Sequence, residues 1–124
     1  MNIHTNLNAN RKAKGSYSDL CLGNKPQAKY IAGRNLSNAD LTGFNLSYLD
    51  LSCANLANAN LSDTNLTGTC FAEANLTSAN LTGANLTGIN LNDARVEDAY
   101  FSNNVGIDPT QKQYLLTNGA ILAD

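Results

Sequence analysis

The chain has 124 residues, enough for one domain with a core of its own and too few for two ordinary ones. Charged residues make up 15% and aromatics 6%, Trp is absent and the formal charge is −2, which argues against a basic nucleic-acid binder and leaves Leu and Ala to build any core. No run of eighteen apolar residues occurs, so no membrane insertion is expected.

Residues 1–24 read as a basic leader, partly disordered. The first 34 residues carry Arg11, Lys12, Lys14, Lys25, Lys29 and Arg34 against Asp19 alone, whereas residues 35–103 carry seven acids and one cation, Arg95. A solvated tail is the plain reading of this asymmetry; docking onto an acidic partner, or onto the rest of the chain, is the alternative. The opening MNIHTNLNANRKAKGS lacks the apolar stretch of a secretory signal. Asn-Leu-Ser/Thr sequons at Asn35, Asn45, Asn60, Asn65, Asn75, Asn80 and Asn85 would invite glycans in a eukaryotic secretory route. A cytoplasmic location is therefore expected, with thylakoid lumen or periplasm as the alternative if an upstream targeting peptide has been removed.

Residues 25–33 form an N-terminal cap segment. A short helix over Pro26 to Ala32, stopped by Gly33, is favoured over Ile31 serving as one more core residue.

From residue 34 to 103 the sequence repeats every five residues without an insertion, fourteen pentads in all. On a helix a step of five turns the side chain by about 500°, so the leucines would spiral with no apolar stripe. On one continuous strand the odd spacing would send alternate leucines to opposite faces. A short extended piece and a turn in every pentad solves the problem, because each turn restores the inward direction of the next Leu. The chain then coils about an apolar axis.

With the Leu position called i, the core ladder is Leu36, Leu41, Leu46, Leu51, Leu56, Leu61, Leu66, Phe71, Leu76, Leu81, Leu86, Leu91, Val96 and Phe101. Position i−2 also faces inward and is Ala in eight pentads and Thr in two, with Phe44, Leu49 and Ile89 as exceptions that need local room. Position i+2 is Gly, Asn or Asp in ten pentads, the residues that tolerate positive φ, so the corner belongs there. Position i−1 is Asn or Asp in eleven, suited to bonding turn backbone, and i+1 is Ser or Thr in ten, as an outward strand position would prefer.

Tandem A(N/D)LxX units such as Ala39-Asp40-Leu41-Thr42-Gly43 and Ala79-Asn80-Leu81-Thr82-Gly83 resemble the pentapeptide repeat family. The resemblance implies an all-β solenoid, a right-handed quadrilateral β-helix with four pentads per coil, about 3.5 to 4 coils and short helical caps, in a rod of about 17 Å. Lys29 to Leu41, KYIAGRNLSNADL, is also similar to the opening segment of short cyanobacterial and plastid-targeted members.

Residues 104–124 read as a C-terminal helical cap. Asp108 is placed to N-cap, Pro109 to open the helix and Gly119 to stop it. Tyr114, Leu115 and Leu116 are expected over the last open Leu layer, with Ala120, Ile121 and Leu122 following as a strand.

Three cysteines cannot all pair within one chain, and Cys53 and Cys70 fall near opposite ends of a shared edge, a poor geometry for a disulfide; Cys21 has no evident mate. The single histidine, His4, supports neither a metal site nor a triad. No catalytic, cofactor or metal residues are assigned, and no cofactor or enzymatic activity is expected. With the four pentads per coil that the resemblance implies, stacking every twenty residues gathers Glu73, Asp93, Glu97 and Asp98 into an acidic patch around Arg95, sets Tyr48 on a corner continued by Gly68 and Gly88, and lines up Ser47, Thr67 and Thr87. Tyr48, Glu73, Asp93, Glu97 and Asp98 are the candidate interaction surface, for an unidentified protein partner. The leading expectation is a monomeric, non-catalytic interaction or scaffold module, with a dimer as the alternative state. Family members that mimic duplex DNA and occupy DNA gyrase imply a second reading, which the acidic body keeps open, and the Thr ranks a third, binding to ice or another lattice.

Overall fold

The computed structural model describes residues 32–123. Within them the first thirteen pentads make the same local structure, and the fourteenth, at Phe101, leaves its turn unclosed. The carbonyl of residue i accepts from the N–H of i+3 at 2.9–3.4 Å, from Ala39 on Leu36 to Ala99 on Val96, closing a β-turn. All fourteen i+2 residues have positive φ, between 55° and 75°, whether they are Gly or carry a side chain as bulky as that of Tyr48. Asx bonds hold the turn. Each of the eleven Asn or Asp residues at i−1 accepts the N–H of i+1 on its side-chain oxygen at 2.9–3.2 Å.

The position i+1 differs from its expected role. It is the second residue of the turn, not part of a strand, and in eight pentads its hydroxyl donates to the same i−1 oxygen at 2.6–2.7 Å. Ser and Thr are favoured there because they complete the Asx turn with a second donor.

Parallel bridges join residues twenty apart, from Asn35 with Asn55 to Asn85 with Val105, so four pentads separate each rung from the next. Within a rung, residue i donates to the residue nineteen ahead and residue i−1 to the one twenty-one behind, at 2.7–3.0 Å, as in Leu56 to Asn75 and Asn75 to Ala54. The backbone of each coil is thereby satisfied by its neighbours, which is why short extended pieces suffice.

The interior holds the whole column of i residues from Leu36 to Phe101, all buried. Of the i−2 residues, Ala39, Ala59, Ala79 and Ala99 stack in one inward column, and Ala54, Ala74 and Ala94 in another. The larger Phe44 and Leu49 occupy the other two columns, with Thr64 and Thr69 next in line. Both threonine hydroxyls are buried and donate to backbone carbonyls, Thr64 to Leu61 at 2.6 Å and Thr69 to Leu46 at 2.8 Å, so neither leaves a polar group unpaired.

At the N-terminal side, His4, Cys21 and nearly all of the helix expected over 26–32 lie outside the described residues. Ala32 is described, and it is not helical: Ala32 and Gly33 form a turn like those of the pentads, Gly33 with φ 73° and its N–H donating to Ser52 O at 2.8 Å. Glycine here takes the corner of the first described turn.

The bridge ladder runs one rung beyond residue 103, to Val105. Gly106 falls at the Leu position of the five-residue count, but it is exposed and turns the chain out at φ 88°. A nine-residue helix α1, Pro109–Thr117, follows. Asp108 caps it by accepting Gln111 N at 2.7 Å, and Gln111 Oε1 accepts Asp108 N in return at 3.2 Å. After Asn118 and Gly119 the chain returns as β2, Ile121–Leu122, parallel to β1, Tyr100–Phe101. Leu115 is fully buried over the end of the core and Tyr114 is half-buried, but Leu116, expected to cover the same layer, is 52% exposed. Three consecutive helical residues span about 200°, so Tyr114, Leu115 and Leu116 cannot all face a flat coil end.

Candidate interaction surface

The outer surface is built from the residues that make the turns, so what remains for recognition is what the turns do not consume. The Ser47 and Thr87 hydroxyl protons are committed to Asn45 and Asn85 at 2.7 Å. Those ranks present lone pairs and methyl groups more than free donors.

Tyr48 stands out from this background, 62% exposed at a turn corner. Its ring lies over the next member of the column: a Cβ added at Gly68 would stand 2.5 Å from two of its ring carbons. Gly68 is therefore the seat of the ring as well as a corner with φ 68°. Gly68→Ala is expected to displace the ring and destabilise the fold by about 1–3 kcal/mol through strain at positive φ and the clash. Tyr48→Asn, which suits a positive φ better, should leave stability within about 1 kcal/mol. Chemical denaturation of the two variants checks the contrast.

The acidic candidates do not form one even patch. Glu73 and Asp93 follow Cys53 up a single corner column, all three with positive φ near 60°, while Asp98 sits at the next corner along the chain. Glu97 turns back toward Arg95, Oε1 to Nε 3.8 Å, and toward Thr77 Oγ1 at 3.5 Å. Both partners of that ion pair are more than half exposed, so it contributes little to stability. The structure thus brings Glu73 and Asp93 together, spends part of Glu97 on Arg95 and Thr77, and leaves Tyr48 on a different corner column.

Cys53 is exposed and Cys70 half-buried, and both are free thiols. Among the described residues no group of three His, Cys, Asp or Glu side chains is arranged to hold a metal ion, and no helix is long and apolar enough to cross a membrane.

Two features were not foreseen from the sequence. Gln111 Nε2 donates to Ile89 O at 2.9 Å and Tyr114 Oη to Ala94 O at 2.7 Å, so α1 meets the last coil through side-chain donors. Asn104 does the same one face away, its Nδ2 donating to Leu81 O and Ala84 O at 2.7 and 2.9 Å. A groove of about 350 Å³ opens between α1 and residues 89–92.

Burial, with Asp93 and then Glu97 nearby, holds the Tyr114 phenol above its ordinary pKa of 10.0. A folded pKa raised above the unfolded one stabilises the fold fully below pH 10, and that contribution disappears as pH climbs through the raised value. Helical ellipticity is expected to fall above pH 10 as tyrosinate absorbance rises, and Tyr114→Phe should remove the part of this transition that belongs to the cap. The same variant should cost about 1 kcal/mol at neutral pH, for the lost bond to Ala94.

A family model described as pentapeptide repeats matches residues 35–71 and 69–103, with eight copies. Among solved structures, that of QnrB1, a plasmid-mediated fluoroquinolone resistance protein, is similar at 18% identity and TM-score 0.55 over 74% of this chain and 49% of that one. The chain thus spans about half the length of QnrB1. A pentapeptide repeat protein from the Arabidopsis thaliana thylakoid lumen is 22% identical over 75% of this chain and 83% of its own, TM-score 0.46. Rfr23, from the cyanobacterium Cyanothece 51142, is 36% identical over 60% of this chain and 62% of its own, TM-score 0.30. No curated protein matches the sequence.

Proposed function

Because the chain belongs to the pentapeptide repeat family, we propose that it is a non-catalytic interaction or scaffold module, whose rigid outer surface binds another protein. The observation that supports this reading is the division of labour in each pentad. Polar side chains at i−1 and i+1 are engaged in holding turns, while Tyr48 and the Glu73–Asp93 corner project with no such duty. A stiff surface with a few projecting groups recognises by shape and charge, at little entropic cost on binding. Family membership also carries the finer geometry, a right-handed quadrilateral β-helix of about 3.5 to 4 coils, and the monomeric, cytoplasmic state is part of the same proposal.

The test is affinity capture from source lysate with the full chain, followed by reconstitution with the purified partner. Tyr48→Asn or the pair Glu73→Gln with Asp93→Asn should weaken the reconstituted complex while leaving the melting temperature within a few degrees. A correctly folded chain that retains no protein specifically, or a partner indifferent to all these changes, counts against the reading.

Binding to DNA gyrase is the second reading, favoured by the net negative charge of residues 35–103. A supercoiling assay decides it: protection of gyrase from a fluoroquinolone supports it, and no effect at micromolar protein removes it.

A further inference from the structure

At the face formed by Asp50, Cys70 and Asn90 the ladder ends differently for its acceptors and its donors. In the completed rung below, Asn90 N donates to Thr69 O at 3.0 Å, Phe71 N to Asn90 O at 2.7 Å, and Glu73 N to Asn92 O at 2.8 Å. One coil on, α1 replaces the missing rung only for a carbonyl, Gln111 donating to Ile89 O on this face, while Tyr114 donates to Ala94 O on the next. The equivalent donors are left over. Among the described residues the N–H groups of Leu91 and Asp93 meet no acceptor, although Leu91 is only 6% exposed. An orphaned backbone donor at a nearly buried residue is uncommon.

Leu91 lines the groove beneath α1, together with Ile89, Asn92 and Tyr114. No cation lines it, since Lys112 faces a separate hollow beside Phe101 and Leu122. Asp93 directly follows Asn92, Glu73 precedes Asp93 in the same column, and Asp93 and Glu97 both lie close enough to act on the Tyr114 phenol.

We propose that the edge from Leu91 to Asp93 binds an extended, lysine- or arginine-bearing segment of a partner protein, which adds to the sheet as its next parallel rung. Two carbonyls of such a segment, spaced like those of Asn90 and Asn92, would take the two orphan donors. Its neutral backbone avoids the repulsion that an anion would meet at Asp93, and its cations would face Asp93 and Glu73. A second copy of the acidic repeats would bring like charge to the same corner. This inference rests on the protein-binding reading above and names the site and the chemistry of the partner.

The probe is a capped peptide, acetyl-Lys-Lys-Ala-Val-Ala-Lys-Lys-amide, titrated into the isotope-labelled full chain. Amide shifts centred on Leu91 and Asp93, with slower hydrogen exchange at both, are expected. Asp93→Asn should weaken the peptide about two- to fivefold, the loss of one exposed ion pair, and a peptide with Glu in place of every Lys should bind more weakly still. Shifts that avoid this edge, no shifts at millimolar peptide, or equal binding of the Glu peptide overturns the inference. Dimerisation through these two amides without peptide would also overturn it, by making a second copy the occupant. If the peptide fails here while a partner is still held through Tyr48, this site falls and the interaction reading stands.

Discussion

Leu61→Asp is expected to leave the repeats unfolded at neutral pH. Leu61 is fully buried in the column that holds Leu41, Leu81 and Phe101, and the polar atoms nearby are already paired, the backbone within and between coils and the Thr64 hydroxyl on Leu61 O. A carboxylate there has neither a cation nor a free donor, and burying one unpaired costs more than a domain of this size has to lose, about 5–15 kcal/mol. Leu61→Ala is the graded companion, with an expected cost of about 2–5 kcal/mol from lost transfer energy and the cavity left behind. For a domain of this length each kcal/mol lowers the midpoint by about 4–8 °C, so Leu61→Ala should melt on the order of 10–30 °C below the parent. Thermal melts followed by far-ultraviolet dichroism read both. Because each coil touches only its neighbours, the same change in Leu36 should cost less than in Leu61. A Leu61→Ala chain that melts with the parent would show that the column does not carry the stability.

Gly106→Ala is expected to detach the cap, in contrast to Gly88→Ala. At Gly106 a Cβ would run into the N, Oγ1 and Cα of Thr87, and the residue has φ 88°. Backbone cannot swing aside as a flexible side chain would, so strain and clash add, and about 3 kcal/mol or more is expected. At Gly88, φ 71°, the nearest atom to a Cβ is Gly68 N at 3.7 Å, an ordinary contact, leaving only the strain of about 1 kcal/mol. Gly106→Ala should therefore lose the α1 ellipticity and expose residues 107–123 to proteolysis, and it should associate through the uncovered coil end. Equal behaviour of the two alanine variants would rule out Gly106 as the point where the cap is steered.

How much of this was legible can be seen residue by residue. Asp108 and Pro109 carry local signals, because a helix N-terminus is settled within one turn of chain. The corner at i+2 was legible from Gly43, Gly68, Gly83 and Gly88, and the structure extends it to Tyr48, Cys53 and Glu73, which adopt positive φ only because stacking holds them there. Ser and Thr at i+1 suggested a strand, since their composition fits a strand surface equally well; the bond from Ser37 to Asn35 that makes them turn residues follows from the turn's own geometry. The candidate surface was legible as a set of residues and not as an arrangement. The twenty-residue stacking groups Glu97 with Asp93, whereas in the structure part of its charge faces Arg95 and Thr77.

By itself the sequence determined which residues are equivalent. A period of five that suits neither a helix nor a strand can be satisfied only by a turn in every unit, and it sends Leu inward each time. The period of five does not fix how equivalent residues meet: the family resemblance implies the twenty-residue step, the bridges show it, and the contacts made across it were decided by the tertiary structure. The twenty-residue step between rungs, the seat of Tyr48 on Gly68, and the use of Gln111 and Tyr114 to stand in for a missing rung all join residues about one coil apart. A repeat unit constrains its own backbone, whereas contacts across a coil depend on how many units close one, which no single unit encodes.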